Sequence, residues 1–261
     1  VLAVLYTAGY LTQRAHLLRE NLLSTLKPLG LAGLLATILM AQPDMGSAMV
    51  LLGIVGGMVW LAGAPWRHLL TLGMMSAPLL TFAAMEPYRL SRLKSFLDPW
   101  ADPFNSGFQL SQALIAVGRG ELFGVGLGAS IQKLFYLPEA HTDFIFAVLA
   151  EELGLFGVIL VLILFGVLIT RILLVGVMAH KMQRHFAGYA AYGVGLWLGL
   201  QVLISIGVNL GVLPTKGLTL PLISSGGSSL LMSCVAIGLV LRIKYELDCE
   251  RLLQPRRRVF N

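Results

Sequence analysis

Charge is what this chain has least of. Only 12% of its 261 residues are Asp, Glu, Lys or Arg, and 57% are hydrophobic, whereas a soluble domain carries about 25% charged residues. That excludes an ordinary soluble globule and places the chain in a membrane. Cysteine is also scarce. The two present, Cys234 and Cys249, fall in an apolar run and in a polar tail, which excludes a disulfide framework and leaves free thiols as the expectation. Acidic residues are outnumbered 13 to 19, for a net charge of +6. In so apolar a chain the basic residues are first sorted by side of the membrane, so the excess is no signature of nucleic-acid binding. Neither an initiator Met nor a basic n-region precedes the apolar start at Val1. No signal peptide is expected, and the chain reads as truncated or cleaved at its N-terminus.

What is present is a series of apolar runs of about 20 residues or slightly fewer, the length of membrane helices rather than barrel strands. The expectation is an all-α, polytopic transmembrane protein forming one membrane domain over 1–261. Residues 1–11 read as the end of a helix, and 13–27 as either a basic amphipathic segment on the membrane surface or an ordinary basic loop. Apolar spans are expected at 28–42, 47–64, 69–85, 143–170, 187–210 and 230–241. Pro43 interrupts the first pair, and Asp44 is placed to cap the helix that follows. Such a break builds either a cavity site, as in interrupted helices, or a tight turn. Gln201, Ser205 and Asn209 form an i, i+4 polar stripe, which lines a helix contact or a cavity.

Sidedness follows from the basic residues. The segments 13–27, 65–68, 171–185 and the tail 242–261 are rich in Lys and Arg and are expected in the cytoplasm. The long section 86–142, with an amphipathic piece from Phe108 to Ile115, and the stretch 211–223 are then extracytoplasmic, as is the Pro43-Asp44 break. Every distinctive polar motif converges on the outer face.

The most polar and glycine-rich stretch is 118–154. Lys133, Glu139, His141 and Asp143 fall within eleven positions, and Glu151 and Glu152 follow inside an apolar helix. Ionisable groups at the mouth of a span suggest a functional site; a solvated loop is the simpler reading. A second unusual stretch runs from Pro214 to Ser229. It sets Lys216 between two prolines and leads through Ser224 and Ser228 into the last helix, where backbone amides and hydroxyls attract anionic oxygen. A cap with close glycine packing is the alternative.

Pro138-Glu139-Ala140-His141-Thr142-Asp143-Phe144, with Gly118-Arg119-Gly120-Glu121 before it and Glu151-Glu152-Leu153-Gly154 after it, resembles the SEDS family of membrane glycosyltransferases (FtsW, RodA, SpoVE). Gln42-Pro43-Asp44, Phe96-Leu97-Asp98-Pro99 and Pro214 to Leu230 extend the likeness to nearly the whole chain. Lys216 resembles the FtsW branch, and Ser225 departs from a frequent Tyr. The resemblance implies a ten-helix fold, of which about six helices and part of a seventh lie here, with 86–142 as a large extracytoplasmic loop. It implies polymerisation of lipid II at the outer face of the bacterial inner membrane during septal division, beside a class B penicillin-binding protein and other divisome membrane proteins. A lipid II flippase and a non-catalytic scaffold are the competing readings.

Asp143 matches the aspartate the family needs for polymerisation and is the expected base. A diphosphate leaves without protonation, so one carboxylate suffices, with cations to stabilise the departing oxygens. Lys133, Arg119 and Lys216 are the candidates for that role, and His141, Glu139, Ser224 and Ser228 join them as substrate-binding candidates. Asp44, Glu151 and Glu152 are expected to be structural or to line the cavity. A divalent cation, Mg or Mn, is expected to bridge the same oxygens at Asp143; no organic cofactor is expected.

Overall fold

The computed structural model describes residues 1–18, 21–74, 92, 95–105, 107–134 and 137–257, the side chains of 254–257 excepted. The described residues are helical, with no strand among them. In chain order they form α1 (Leu2–Arg14), α2 (Leu22–Ala41), α3 (Met45–Leu61), α4 (Phe108–Arg119), α5 (Ile145–Lys181), α6 (His185–Asn209) and α7 (Gly227–Arg257). A helical stretch at 66–74 lies between α3 and α4. By length and composition α2, α5 and α6 can each cross a bilayer, and α3 is a shorter apolar helix.

The main core joins α1, α3, α6, α7 and the second half of α5 through Leu11, Met58, Val194, Leu198 and Leu247. Small residues let these helices approach. A Cβ on Gly193 would fall 2.4 Å from Val4, and one on Gly57 would fall 2.9 Å from Leu196. A second cluster sets α4 against the start of α5 and the end of α6 through Ala113, Ala116, Ala147 and Val208. This cluster supports the polar end of the bundle. At the opposite end Arg184, in the turn between α5 and α6, pairs with Glu250 of α7.

Several expected boundaries shift. The segment 13–27 is not one surface helix, because α1 ends at Arg14 and α2 already begins at Leu22, with Pro28 inside it. The basic loop expected at 171–185 shrinks to three residues, since α5 continues to Lys181 and α6 begins at His185. Arg171 is therefore helical and exposed. The span expected at 69–85 is described only to residue 74, and much of 86–107 lies outside the described residues.

Asp44 caps α3 as expected, its Oδ1 accepting the Ser47 amide at 3.0 Å. The Gln201, Ser205 and Asn209 stripe is buried, with Asn209 meeting the first turn of α5 and the Ser205 hydroxyl without a partner among the described residues. Gln201 donates to the Thr219 carbonyl at 3.0 Å.

Candidate active site at the polar end of the bundle

Asp143 ends a turn that is fixed from every side. Glu139 takes the left-handed region at φ 58°, and its carbonyl accepts the amides of Thr142 and Phe144, each at 3.2 Å. Three successive carbonyls are then held from outside the turn. The His141 oxygen accepts both the amide and the hydroxyl of Ser225, each at 3.0 Å. The Thr142 oxygen accepts the Ser224 hydroxyl at 2.6 Å, and the Asp143 oxygen accepts Asn209 Nδ2 at 3.0 Å. Asn209 is wholly buried, and its other groups meet the Ser205 carbonyl at 2.8 Å and the Ala147 amide at 3.0 Å. One amide side chain thus joins the end of α6 to the first turn of α5. Asp143 itself precedes that helix.

The Asp143 carboxylate lies beside the backbone of Gly217, where a Cβ would stand 3.2 Å from Oδ2. Gly46 in turn packs on Leu218, which a Cβ there would meet at 2.8 Å. Three distant pieces of sequence, 44–49, 139–143 and 215–219, therefore share one place. Burial raises the Asp143 pKa first, the charge of Glu139 raises it further, the charge of Arg92 lowers it, and that of Asp44 raises it. The net direction is upward. Removing water disfavours the charged carboxylate, and the nearby carboxylates add to the effect. Arg92 also donates to the Thr215 carbonyl at 3.2 Å, which ties the cation to the 215–219 stretch. Lys216 reaches back to α3, with Nζ 2.7 Å from the Met49 sulfur.

The remaining expected cations go elsewhere. Lys133 Nζ lies 2.5 Å from Glu152 Oε1, and Arg119 Nη1 lies 3.5 Å from Glu151 Oε1. Both serve a feature the sequence did not reveal. Inside α5, Gly154 leaves the helical region at φ 64°, ψ −165°. The break frees two amides and two carbonyls, and the loop after α4 takes all four. Leu155 and Phe156 donate to the carbonyls of Glu121 and Leu122 at 3.0 and 3.3 Å, while Val125 and Gly126 donate to those of Glu151 and Glu152 at 2.9 and 3.1 Å. Glu151 is fully buried and accepts Ser130 Oγ at 2.5 Å and the Ile131 amide at 3.3 Å. Lys133 and Arg119 thus neutralise the two carboxylates that hold this loop, which corrects their expected place beside a diphosphate. Glu151 and Glu152 both bond to the segment 119–133.

Ser224 is also corrected. Its hydroxyl is buried and committed to backbone, accepting the Leu220 amide at 2.7 Å while donating to Thr142. His141 and Ser228 are exposed at this end of the bundle, and Glu139 Oε2 accepts the Thr142 hydroxyl at 2.7 Å. Arg92, Asn209 and Ser225 were missed as site residues. Asn209 stood in the polar stripe, and its i+4 relation to Ser205 was the available signal; Arg92 was one of many loop charges, with nothing local to mark it. Among the described residues no three His, Cys, Asp or Glu side chains converge to hold a metal ion. A cation here fits only the mode in which one or two carboxylates are completed by substrate oxygens and water.

An all-helical membrane bundle with one half-buried carboxylate clamped at its end is the class of molecule these observations define. Residues 1–248 match the family of cell cycle proteins described as FtsW, RodA and SpoVE, and the chain belongs to that family. It is 54% identical over 247 residues to the probable peptidoglycan glycosyltransferase FtsW of Thioalkalivibrio sulfidiphilus, covering 94% of this chain and 62% of that protein. The corresponding protein of Coxiella burnetii is 55% identical over 246 residues, covering 94% and 66%. This chain therefore spans a little under two thirds of the length of these relatives. Among solved structures, one described as the structural coordination of polymerization and crosslinking by a peptidoglycan synthase complex superposes with TM-score 0.68 at 32% identity, covering 94% of this chain and 70% of that one. The rod shape determining protein RodA of Thermus thermophilus, as a mutant, gives TM-score 0.57 at 31% identity, covering 92% and 64%.

Proposed function

We propose that the protein containing this chain is a peptidoglycan glycosyltransferase that polymerises lipid II, with Asp143 as its general base. The carrying observation is the meeting of three separate segments on one half-buried carboxylate whose pKa is raised. A raised pKa makes a carboxylate a better proton acceptor when ionised. Asp143 takes the proton of the acceptor sugar's hydroxyl as that oxygen forms the new bond to the donor's anomeric carbon. The bond from that carbon to the diphosphate oxygen breaks, and its electron pair leaves with the lipid diphosphate. Arg92 and Lys216 are the cations placed to meet the departing oxygens. A divalent cation bound by Asp143 and the diphosphate would add charge stabilisation there.

By the positive-inside rule, Lys181 and Arg184 around the turn between α5 and α6, with the basic α7 tail, favour a cytoplasmic place for that end and for the C-terminus. Asp143 then faces the outer leaflet of the inner membrane, where the lipid diphosphate lies. The likeness to FtsW proteins supports a place at the division septum, and the synthase-complex neighbour supports a class B penicillin-binding partner. The deep polar groups Gln201, Asn209 and Glu151 all bond within the fold, which favours polymerisation over lipid flipping.

The test uses full-length protein with its penicillin-binding partner and labelled lipid II. Asp143→Asn is expected to abolish glycan polymer while the complex and lipid binding persist. Persisting polymer would overturn the assignment.

A further inference from the structure

The loop 122–134 has a composition unlike that of an aqueous loop. From Leu122 to Gln132 it carries no ionisable residue, and Leu122, Phe123, Leu127, Ile131 and Leu134 are exposed. Phe123 and Leu127 are 79% and 80% exposed. Phe123 nevertheless stacks on Phe156 of α5, ring centroids 5.3 Å apart. Phe156 begins a ridge of exposed apolar residues on α5 that continues through Ile159, Leu160, Ile163 and Val167. On a membrane-spanning helix that ridge faces lipid. The exposed face of the loop is continuous with it.

Depth agrees. The run Leu153 to Thr170 of α5 has no charge; at about 1.5 Å per residue its 18 residues match the roughly 30 Å hydrocarbon core. Phe156 then lies within about 5 Å of the core's outer edge, and Phe123 stands beside it.

Irregular backbone is tolerated at such depth only when its polar groups are paired inside the protein. Much of that pairing is present on the amide side, although the buried Gln132 Oε1 has no partner among the described residues. The amides of Gly124, Val125, Gly126 and Ala129 go to the carbonyls of Gly120, Glu151, Glu152 and Gly126. The Ile131 amide goes to the Glu151 carboxylate at 3.3 Å. The Lys133 amide is taken by Ser130 Oγ. Even the lysine at the loop's end is neutralised by Glu152. An aqueous loop needs none of this.

We propose that 122–134 is a re-entrant loop seated in one leaflet of the bilayer, with Leu122, Phe123 and Leu127 against lipid acyl chains. Part of the section expected to be extracytoplasmic is thus embedded beside the helix that follows Asp143. The inference does not depend on the reaction assigned above.

Spin labels test it in the full-length protein, with Cys234 and Cys249 replaced by Ser. Single cysteines are introduced as Phe123→Cys and Leu127→Cys, with Leu160→Cys as the lipid-facing reference and Phe104→Cys as the loop reference. The protein is reconstituted in phosphatidylcholine–phosphatidylglycerol vesicles. Labels at 123 and 127 are expected to collide more with oxygen than with a water-soluble nickel chelate, as at 160. Nickel-dominated collisions, as expected at 104, would overturn the proposal. So would low collision with both reagents, which would mean that protein rather than lipid covers the face. The label at 160 sets the signal of a lipid-facing site, and a monodisperse gel-filtration profile before reconstitution reports that each variant is folded.

Discussion

Replacing Asn209 by Leu keeps the branched outline of the side chain and removes three hydrogen bonds. The losses are unequal. The Ala147 amide retains the Phe144 carbonyl at 3.0 Å, and Ser205 O lies within helix α6. The Asp143 carbonyl loses the partner that reaches it from α6. A buried acceptor left unpaired costs about 1–3 kcal/mol, and each ordinary bond removed about 1 kcal/mol more. The sum is about 3–5 kcal/mol, a large part of the stability of a marginal fold. Asn209→Asp retains the acceptor for Ala147 but cannot donate to Asp143 when ionised, and it buries a charge. It is expected to be at least as damaging. Equilibrium denaturation of the full-length protein, titrating sodium dodecyl sulfate into mild-detergent micelles, measures the loss. A change below about 0.5 kcal/mol for Asn209→Leu, the scatter of neutral surface substitutions, would refute the reasoning that this amide holds the site.

Asp143 carries a pH signature. Its pKa is raised above 3.8 by burial first and by Glu139 and Asp44, so the folded state binds its proton over a pH range in which the unfolded state has lost it. Stability therefore falls as pH rises through that range. Asp143→Asn is expected to unfold later than wild type at neutral pH, with the advantage vanishing below the ordinary carboxylate range; equal unfolding at pH 7 and pH 3 would contradict this. Arg92 lowers the same pKa. Arg92→Gln is therefore expected to shift the alkaline-going rise of polymerisation rate to higher pH, read from a rate–pH profile with labelled lipid II. Gly124→Ala places a side chain at φ 78°, with Cβ 2.1 Å from the Glu152 carbonyl oxygen. Conformation alone costs about 1–2 kcal/mol there, and the backbone clash adds to it, so reduced thermal stability in detergent is the expected reading.

The helical spans were legible because apolar length is a strong signal and the bilayer sets it. Asp44 as a cap was legible for a local reason: a proline, an acid and an apolar run stand in order. Asp143 stood out through the motif around it. The Gly154 break was not legible, since Glu-Glu-Leu-Gly within an apolar helix looks like continuous helix until its carbonyls are seen to be used elsewhere. Lys133 and Arg119 were misplaced for the same reason. Their partners Glu151 and Glu152 lie far along the chain, and neighbourhood in sequence favoured Asp143. Arg92 and Asn209 act across long separations, which only the folded chain brings together.

The exchange at Gly154 has one more implication. The four backbone groups lent to the loop are those that an unbroken α5 would satisfy by itself, Leu155 to Glu151 and Phe156 to Glu152. The same four α5 groups are satisfied in a zipped helix by two bonds within it and in the plugged helix by four bonds to the loop, and the loop decides between them. Pulling the loop out would let the helix close on itself and re-aim everything before Gly154, Asp143 included. The loop is a wedge that sets the bearing of the carboxylate from about three helical turns away.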